Sequence, residues 1–252
     1  MTIPEFFAAH PDCAVAFSGG IDSAWLLHEA LRYGRKVRAY FVRTPFQPDF
    51  ELADARETVR LLGAELTVID FDILAVPAVR ANPADRCYHC KTALFTRLLA
   101  SAGADGFPLV LDGSNASDDA SDRPGMRALR ELGVRSPLRE CGVTKAEIRR
   151  LAREAGLPVW GKPSYACLAT RIPAGTAITA RDLQRAGRGE AVLMDMGFAD
   201  FRLRLRGEDA LLQVRQEQMG MAEALLEEIR SRLSGDFRTI QLDSVPRAAR
   251  ES

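Results

Sequence analysis

Between residues 13 and about 155 the chain alternates short apolar runs with longer stretches of helical periodicity. CAVAF (13–17) leads into SAWLLHEALRYG (23–34), and KVRAYFV (36–42) leads into DFELADARETVRLLG (49–63), which ends on Gly63. AELTVIDF (64–71) precedes the helical CKTALFTRLLASAG (90–103), and FPLVLDG (107–113) precedes TKAEIRRLAREAGLP (144–158). That last helix opens on a capping box, Thr144 with Glu147, and stops at glycine and proline. Strands alternating with helices predict the α/β class with a parallel, doubly wound sheet, whose ligands sit at the carboxyl ends of the strands. After Pro173 the pattern changes. TARDLQRAGRGEAVLMDMG (179–197) reads as a helix broken by glycines, and DFRLRLRGEDALLQVR (200–215) as two strands around a Gly-Glu-Asp turn. An amphipathic helix, MGMAEALLEEIRSRLSG, and a last strand, FRTIQLD, complete a β-β-α-β run. At 252 residues the chain exceeds the usual single-domain size. The expected division is therefore a large domain over 1–171 and a small α+β domain over 172–252.

Charge and cysteine usage narrow the partners. Lys+Arg and Asp+Glu both number 34, so the bulk field points to neither nucleic acid nor a membrane surface. MTIPEFFAAHPDC carries no basic segment followed by a long apolar run, so no signal peptide is expected, and no apolar run reaches membrane-spanning length. Five cysteines, at 13, 87, 90, 141 and 167, are an odd number scattered through the chain, which reads as reduced thiols in a cytoplasm.

The sharpest local signal is AVAF-SGGIDS-AWLL (14–27). A strand ends at Phe17, two glycines permit a tight turn, and a helix begins near Asp22. Unpaired N–H groups at a helix N-terminus, beside the Ser18 and Ser23 hydroxyls, form an anion cradle. An ordinary strand–turn–helix connection is the plain alternative. The pattern is not a Walker A loop, because GxxxxGK[ST] is absent. SGGxDS at the end of a first strand resembles the signature of the PP-loop ATP pyrophosphatases. That resemblance implies cleavage of ATP between its α and β phosphates, with activation of the acceptor as an adenylate. It also implies pyrophosphate binding by Ser18, Gly19, Gly20, Asp22 and Ser23, with Asp22 helping to hold Mg2+. Nitrogen ligases, tRNA-modifying enzymes, persulfide thiolases and sacrificial sulfur donors all remain open on the loop alone.

Four further blocks narrow the class: DRCYHCK (85–91), LDGSNASDDASDRPGMRAL (111–129), VRSPL (134–138) and KPSYACLATRIPAG (162–175). With SGGIDS, and in this order and spacing, they resemble the LarE family of ATP-dependent sacrificial sulfur transferases, clearly over residues 10–180. The acidic ASDDASD (116–122) carries an extra residue relative to the family pattern, so its individual aspartates receive no role. The resemblance implies adenylation of a carboxylate on a pyridinium dicarboxylate mononucleotide, in nickel-pincer cofactor synthesis. Cys167 would then form a thioester and yield its sulfur, leaving dehydroalanine. It further suggests a homo-oligomer acting on a small nucleotide-like substrate.

The remaining candidates follow from chemistry. Arg171, Lys162 and bound magnesium favour a Cys167 thiolate, and the loop between Pro163 and Pro173 suits an elimination that needs a mobile or exposed backbone. No feature names the eliminating base. Cys13 and Cys141 read as structural thiols. Cys87 and Cys90 can bind zinc, join Cys167 around an iron–sulfur cluster in a catalytic thiolase, cycle as a disulfide, or shape a site wall in which Tyr88 offers an aromatic face to adenine or pyridinium. Asp112, Gly113, Ser114 and Asn115, past a strand end, reach ATP or magnesium, or form an Asx turn. Arg202, Arg204 and Arg206 share one strand face, either solvated or clamping a phosphate. Arg123-Pro124-Gly125 fixes a loop near the site. A tRNA thiolase would call for a basic face, which the balanced charge disfavours.

Overall fold

A computed structural model describes residues 1–118, 124–162 and 165–248. In chain order it holds α1 (Ile3–Ala9), β1 (Asp12–Ala16), α2 (Ile21–Tyr33), β2 (Lys36–Arg43), α3 (Asp49–Leu61), β3 (Leu66–Asp70), α4 (Pro77–Arg80) and α5 (Arg86–Ala104). These are followed by β4 (Val110–Leu111), α6 (Pro124–Glu131), α7 (Pro137–Glu140), α8 (Lys145–Glu154), α9 (Ala180–Asp195), β5 (Arg202–Arg206), β6 (Asp209–Gln213), α10 (Met219–Arg232) and β7 (Ile240–Leu242). The chain forms two compact units. Met1–Thr44, Asp49–Val79 and Asp85–Lys162 make the first; Pro45–Pro48, Arg80–Ala84 and Pro163–Ser252 make the second, which therefore contains Cys167.

The first unit is built on a parallel sheet in the order β3-β2-β1-β4. Successive strand side chains point to opposite faces, and both faces here are apolar. Cys13, Val15, Ala39 and Phe41 join the core formed with α1, α2, α3 and α8, whereas Ala14, Tyr40 and Val110 pack with Leu98 and Ala102 of α5 and Met126 and Leu129 of α6. A sheet covered on both sides by helices is the doubly wound α/β arrangement that the alternation implies. The chain leaves β1 toward β2 and β3, then returns to the other side of β1 as β4. Ligand crevices form at such a reversal, outside the carboxyl ends of the two strands. Two local readings change. The helix expected from Cys90 starts at Arg86, which puts Cys87 in its first turn and Cys90 just after it. The strand expected over 107–113 shortens to Val110–Leu111.

In the second unit β5 and β6 form the antiparallel hairpin, turning at Gly207 with φ +62°, and α10 carries the crossover to a parallel β7. The helix expected to break at its glycines is continuous over 16 residues. A Cβ at Gly189 would lie 2.3 Å from Leu203 Cδ2 and 3.2 Å from Phe237 Cε2, so the glycine admits β5 against the helix. Glycine costs a helix interior about 1 kcal/mol, which this close packing offsets.

Candidate active site

At the carboxyl end of β1, Gly19 adopts φ +74°, a backbone conformation that favours glycine. Gly20 caps α2 without a side-chain hydrogen bond to the first-turn amides. Those amides, with the α2 dipole behind them, form an anion-binding end. Ser23 fixes the turn: its hydroxyl donates to the Gly20 carbonyl at 3.0 Å, accepts from the Ser18 amide at 3.2 Å and lies 3.2 Å from Ser18 Oγ. The Ser18 hydroxyl accepts weakly from the Gly20 amide at 3.4 Å, on an exposed residue.

The end of β4 closes onto this turn. A Cβ at Gly113 would stand 2.9 Å from the Ser23 amide nitrogen and 3.2 Å from the Asp22 carbonyl carbon, so a side chain there would displace α2. Asp112 is buried, accepting from Ser114 Oγ at 2.5 Å and from the Ser136 hydroxyl. The buried Asn115 places its carboxamide nitrogen 3.3 Å from Asp22 Oδ1 and accepts from the Ser117 amide at 2.9 Å, an Asx turn as well as a site contact. Asp22 Oδ2 accepts from Lys145 Nζ at 2.6 Å. Lys145 is the first residue of α8, behind the Thr144–Glu147 capping box. Sequence reasoning found the cap and passed over the lysine, which nothing local distinguishes from any other helical lysine. The structure thus brings Gly113 and Asn115 against Asp22 and Ser23 of the Ser18–Ser23 turn, turns the Ser114 hydroxyl toward Asp112, and adds Lys145.

A phosphate-bound magnesium ion keeps several waters and takes one or two carboxylates, and the half-buried Asp22 carboxylate is of that kind. Among the described residues no group of three or more His, Cys, Asp or Glu is arranged to hold a metal ion by itself. Tyr88 hydrogen-bonds Glu131 at 2.6 Å and carries the Arg127 guanidinium 4.0 Å over its ring, so one of its faces is covered by a cation. Lys162 donates to Asp54 at 2.6 Å, and its charge is matched there. Asp119, Asp122, Arg123 and Pro163 lie outside the described residues.

In the second unit Cys167 is half-buried and precedes the 3-10 turn Leu168–Arg171. Its backbone is held: the Leu168 amide donates to Phe46 O at 2.8 Å, and the Cys167 carbonyl accepts from the Thr170 amide at 3.0 Å. The elimination was expected to need a mobile or exposed segment; here the residue is partly exposed on an anchored backbone. Arg171 is wholly buried, paired through two 2.7 Å hydrogen bonds with the equally buried Glu190 of α9. Burial opposes its charge, yet the hydrogen bonds and charge of Glu190 outweigh that and hold the guanidinium above its ordinary pKa, with smaller contributions from Tyr165 and Cys167. Arg204 is exposed and donates to Thr170 O at 3.1 Å, which joins it to the Cys167 turn. Arg202 departs from the solvated-face reading: it is 4% exposed and donates to Phe201 O at 2.6 Å. Burial pushes the Cys13 thiol up to about 12, and it also raises Cys141.

No family model matches the chain. It is similar to an uncharacterised protein of Synechocystis, 36% identical over 216 residues that cover 85% of this chain and 81% of that one. It is 32% identical to the pyridinium-3,5-bisthiocarboxylic acid mononucleotide synthase of Lactiplantibacillus plantarum over 232 residues, 91% of this chain and 84% of the relative. A more partial likeness, 26% over 190 residues, covers 58% of the chain and 52% of the tRNA-specific 2-thiouridylase MnmA of Thermotoga petrophila.

Proposed function

The chain belongs to the LarE family of pyridinium-3,5-bisthiocarboxylic acid mononucleotide synthases, ATP-dependent sulfur transferases of the PP-loop group, and from that premise we propose that it thiolates a carboxylate of a pyridinium-3,5-dicarboxylate mononucleotide with sulfur from its own Cys167. ATP binds with its β and γ phosphates on the loop amides and the Ser18 and Ser23 hydroxyls. Lys145 turns from Asp22 to the phosphates, a charge-assisted exchange of one anion for another. Magnesium, when bound beside Asp22, neutralises phosphate charge. The substrate carboxylate attacks the α phosphorus, pyrophosphate leaves, and an acyl-adenylate results. The Cys167 thiolate displaces AMP to give a thioester. A Brønsted base then removes the Cys167 Cα proton, the Cβ–S bond breaks, and the sulfur leaves as thiocarboxylate while dehydroalanine remains. Arg204 is the proposed contact to the substrate phosphate, whereas Arg202, enclosed at 4% exposure, is not placed to reach it. Tyr88 offers its remaining ring face to an aromatic base.

The observation that carries this reading is the contrast among thiols. Cys167 is half-buried in a built turn, whereas Cys13 is sealed in the core with its thiol pushed to about 12. Whole-protein mass spectrometry tests it, before and after incubation with ATP, magnesium and the dicarboxylate mononucleotide. The expected result is loss of one sulfur and two hydrogens, mapped to Cys167; an unchanged mass with repeated turnover would refute sacrifice. A second reading, a catalytic thiolase that recruits Cys87 and Cys90, is favoured by one feature. Cys87 is exposed and Cys90 half-buried at the start of α5, three residues apart and so neighbours on the helix surface. Turnover with intact Cys167, lost in Cys87→Ser and Cys90→Ser, would select it. A homo-oligomer is proposed on the family resemblance, and light scattering measures it.

A further inference from the structure

Two hydrogen-bond donors and a buried guanidinium converge on the carbonyl oxygen of Cys167. It accepts from the Thr170 amide at 3.0 Å and from Thr170 Oγ1 at 2.8 Å, and Arg171 Nη1 stands 3.4 Å away. An amide oxygen has two lone pairs, and the first of these bonds is all that the 3-10 turn requires. The other two contacts belong to a relay. Arg171 Nη1 directs its two protons to Thr170 Oγ1 at 2.7 Å and to Ala166 O at 3.0 Å, so its 3.4 Å approach to Cys167 is a charge contact. The Thr170 hydroxyl, polarised by the guanidinium, donates its own hydrogen bond to the Cys167 carbonyl. Behind it, Glu190 grips Arg171 and also accepts from the Tyr165 hydroxyl and, at 3.0 Å, from the Leu203 amide of β5. Tyr165 and Arg171 flank Cys167 on either side in the chain, so a single buried carboxylate holds both ends of the turn. A buried ion pair adds little stability over apolar side chains of similar volume, so stability alone does not account for this arrangement.

We propose that Thr170 and Arg171 form an oxyanion hole for the Cys167 carbonyl, acting in the elimination step, with Glu190 as the positioning residue behind Arg171. The inference rests on the reading of Cys167 as sulfur donor. When a Brønsted base takes the Cα proton, the electron pair left on Cα delocalises onto this carbonyl oxygen as enolate. It then returns to form the Cα=Cβ bond as the Cβ–S pair departs on sulfur. Donors aimed at an oxygen that gains charge only in the transition state stabilise that state selectively. The Arg171 charge and the Thr170 hydroxyl that it polarises both act more strongly on this oxygen as its charge develops. Adenylation and thioester formation put no charge on this atom and gain nothing from it.

That selectivity is the test. Single turnovers with ATP, magnesium and the pyridinium-3,5-dicarboxylate mononucleotide are followed by mass spectrometry, which separates the substrate–protein thioester from the dehydroalanine product. In Thr170→Val the thioester is expected to form at the wild-type rate and to accumulate, with its decay slowed on the order of ten- to hundredfold. Thr170→Ser, which keeps the hydroxyl, restores the decay. Arg171→Lys, which keeps a cation but loses the fork, falls between them. Decay at the wild-type rate in Thr170→Val, or equal slowing in Thr170→Ser, would overturn the oxyanion hole. If wild-type protein neither forms the thioester nor loses sulfur, the donor role of Cys167 itself falls. That outcome differs from a thioester that forms and decays normally in every variant.

Discussion

At Asp22 one carboxylate meets an ammonium at 2.6 Å and an amide at 3.3 Å. In the proposed reaction Lys145 exchanges this internal anion for a phosphate. A hydrogen bond to a charged group is worth about 1.5–3 kcal/mol, so Lys145→Met is expected to lower kcat/KM for ATP by roughly ten- to hundredfold. Pyrophosphate-release kinetics across ATP concentrations measure this, and wild-type kinetics would remove Lys145 from the phosphate site. Glu190 supports a different prediction. With 0% exposure, its replacement by Gln leaves the buried Arg171 charge without a counterion. Breaking such a pair from one side costs about 3–5 kcal/mol, which denaturant unfolding will show. Arg171→Met/Glu190→Leu together should recover only part of that loss, because the Tyr165 hydroxyl and the Leu203 amide lose their acceptor, and should still slow sulfur transfer. Neither residue partner was legible in the chain. SGGIDS declares its glycines and serines locally, but Lys145 lies 123 residues from Asp22, and Glu190 lies in a helix whose sequence advertises only amphipathicity.

The elements were legible where burial alternates with a fixed period. β1 and β2 carry opposite apolar faces, and α8 announces its start with a capping box that the structure contains in both directions. The readings that changed are those in which a local propensity met a packing demand. Gly187 and Gly189 argue for a broken helix by propensity, yet α9 runs through them because β5 packs where a Cβ would stand. Gly189→Ala is therefore expected to destabilise the protein by about 1–3 kcal/mol, the ordinary range for overpacking, although the same change in an exposed helix would stabilise it. A raised melting temperature in this variant would contradict the geometry. Similarly, α5 opens on Arg86, Cys87, Tyr88, His89 and Cys90, largely polar and thiol side chains that give no apolar periodicity from which to read a helix start.

Across the whole molecule, charge pairing sets the response to acid. Glu140 of α7 is typical: hydrogen bonds from Arg135 hold its carboxyl below the ordinary value of 4.5, aided by the Ser136 amide and nearby His10 and opposed by partial burial. Its folded pKa is the lower one. Its stabilisation is thus complete above the unfolded value and disappears as pH falls through the folded value. Glu140→Gln should weaken the fold near neutral pH and flatten the acid side of its stability profile, as urea midpoints at a series of pH values will show. No described helix is long and apolar enough to cross a membrane, and all five cysteines are thiols. In the sequence by itself, the doubly wound α/β class was readable from periodic burial and the tight turn after β1 from its glycines, whereas Cys167 stood out only through the resemblance of PSYACLATR to the LarE family. It took the tertiary structure to show that Lys145 faces Asp22, that Gly113 abuts the first turn of α2 and that Glu190 accepts from both Tyr165 and Arg171 on either side of Cys167. Such partnerships depend on which side chains packing brings into one poorly solvated neighbourhood, and chain spacing carries no record of that.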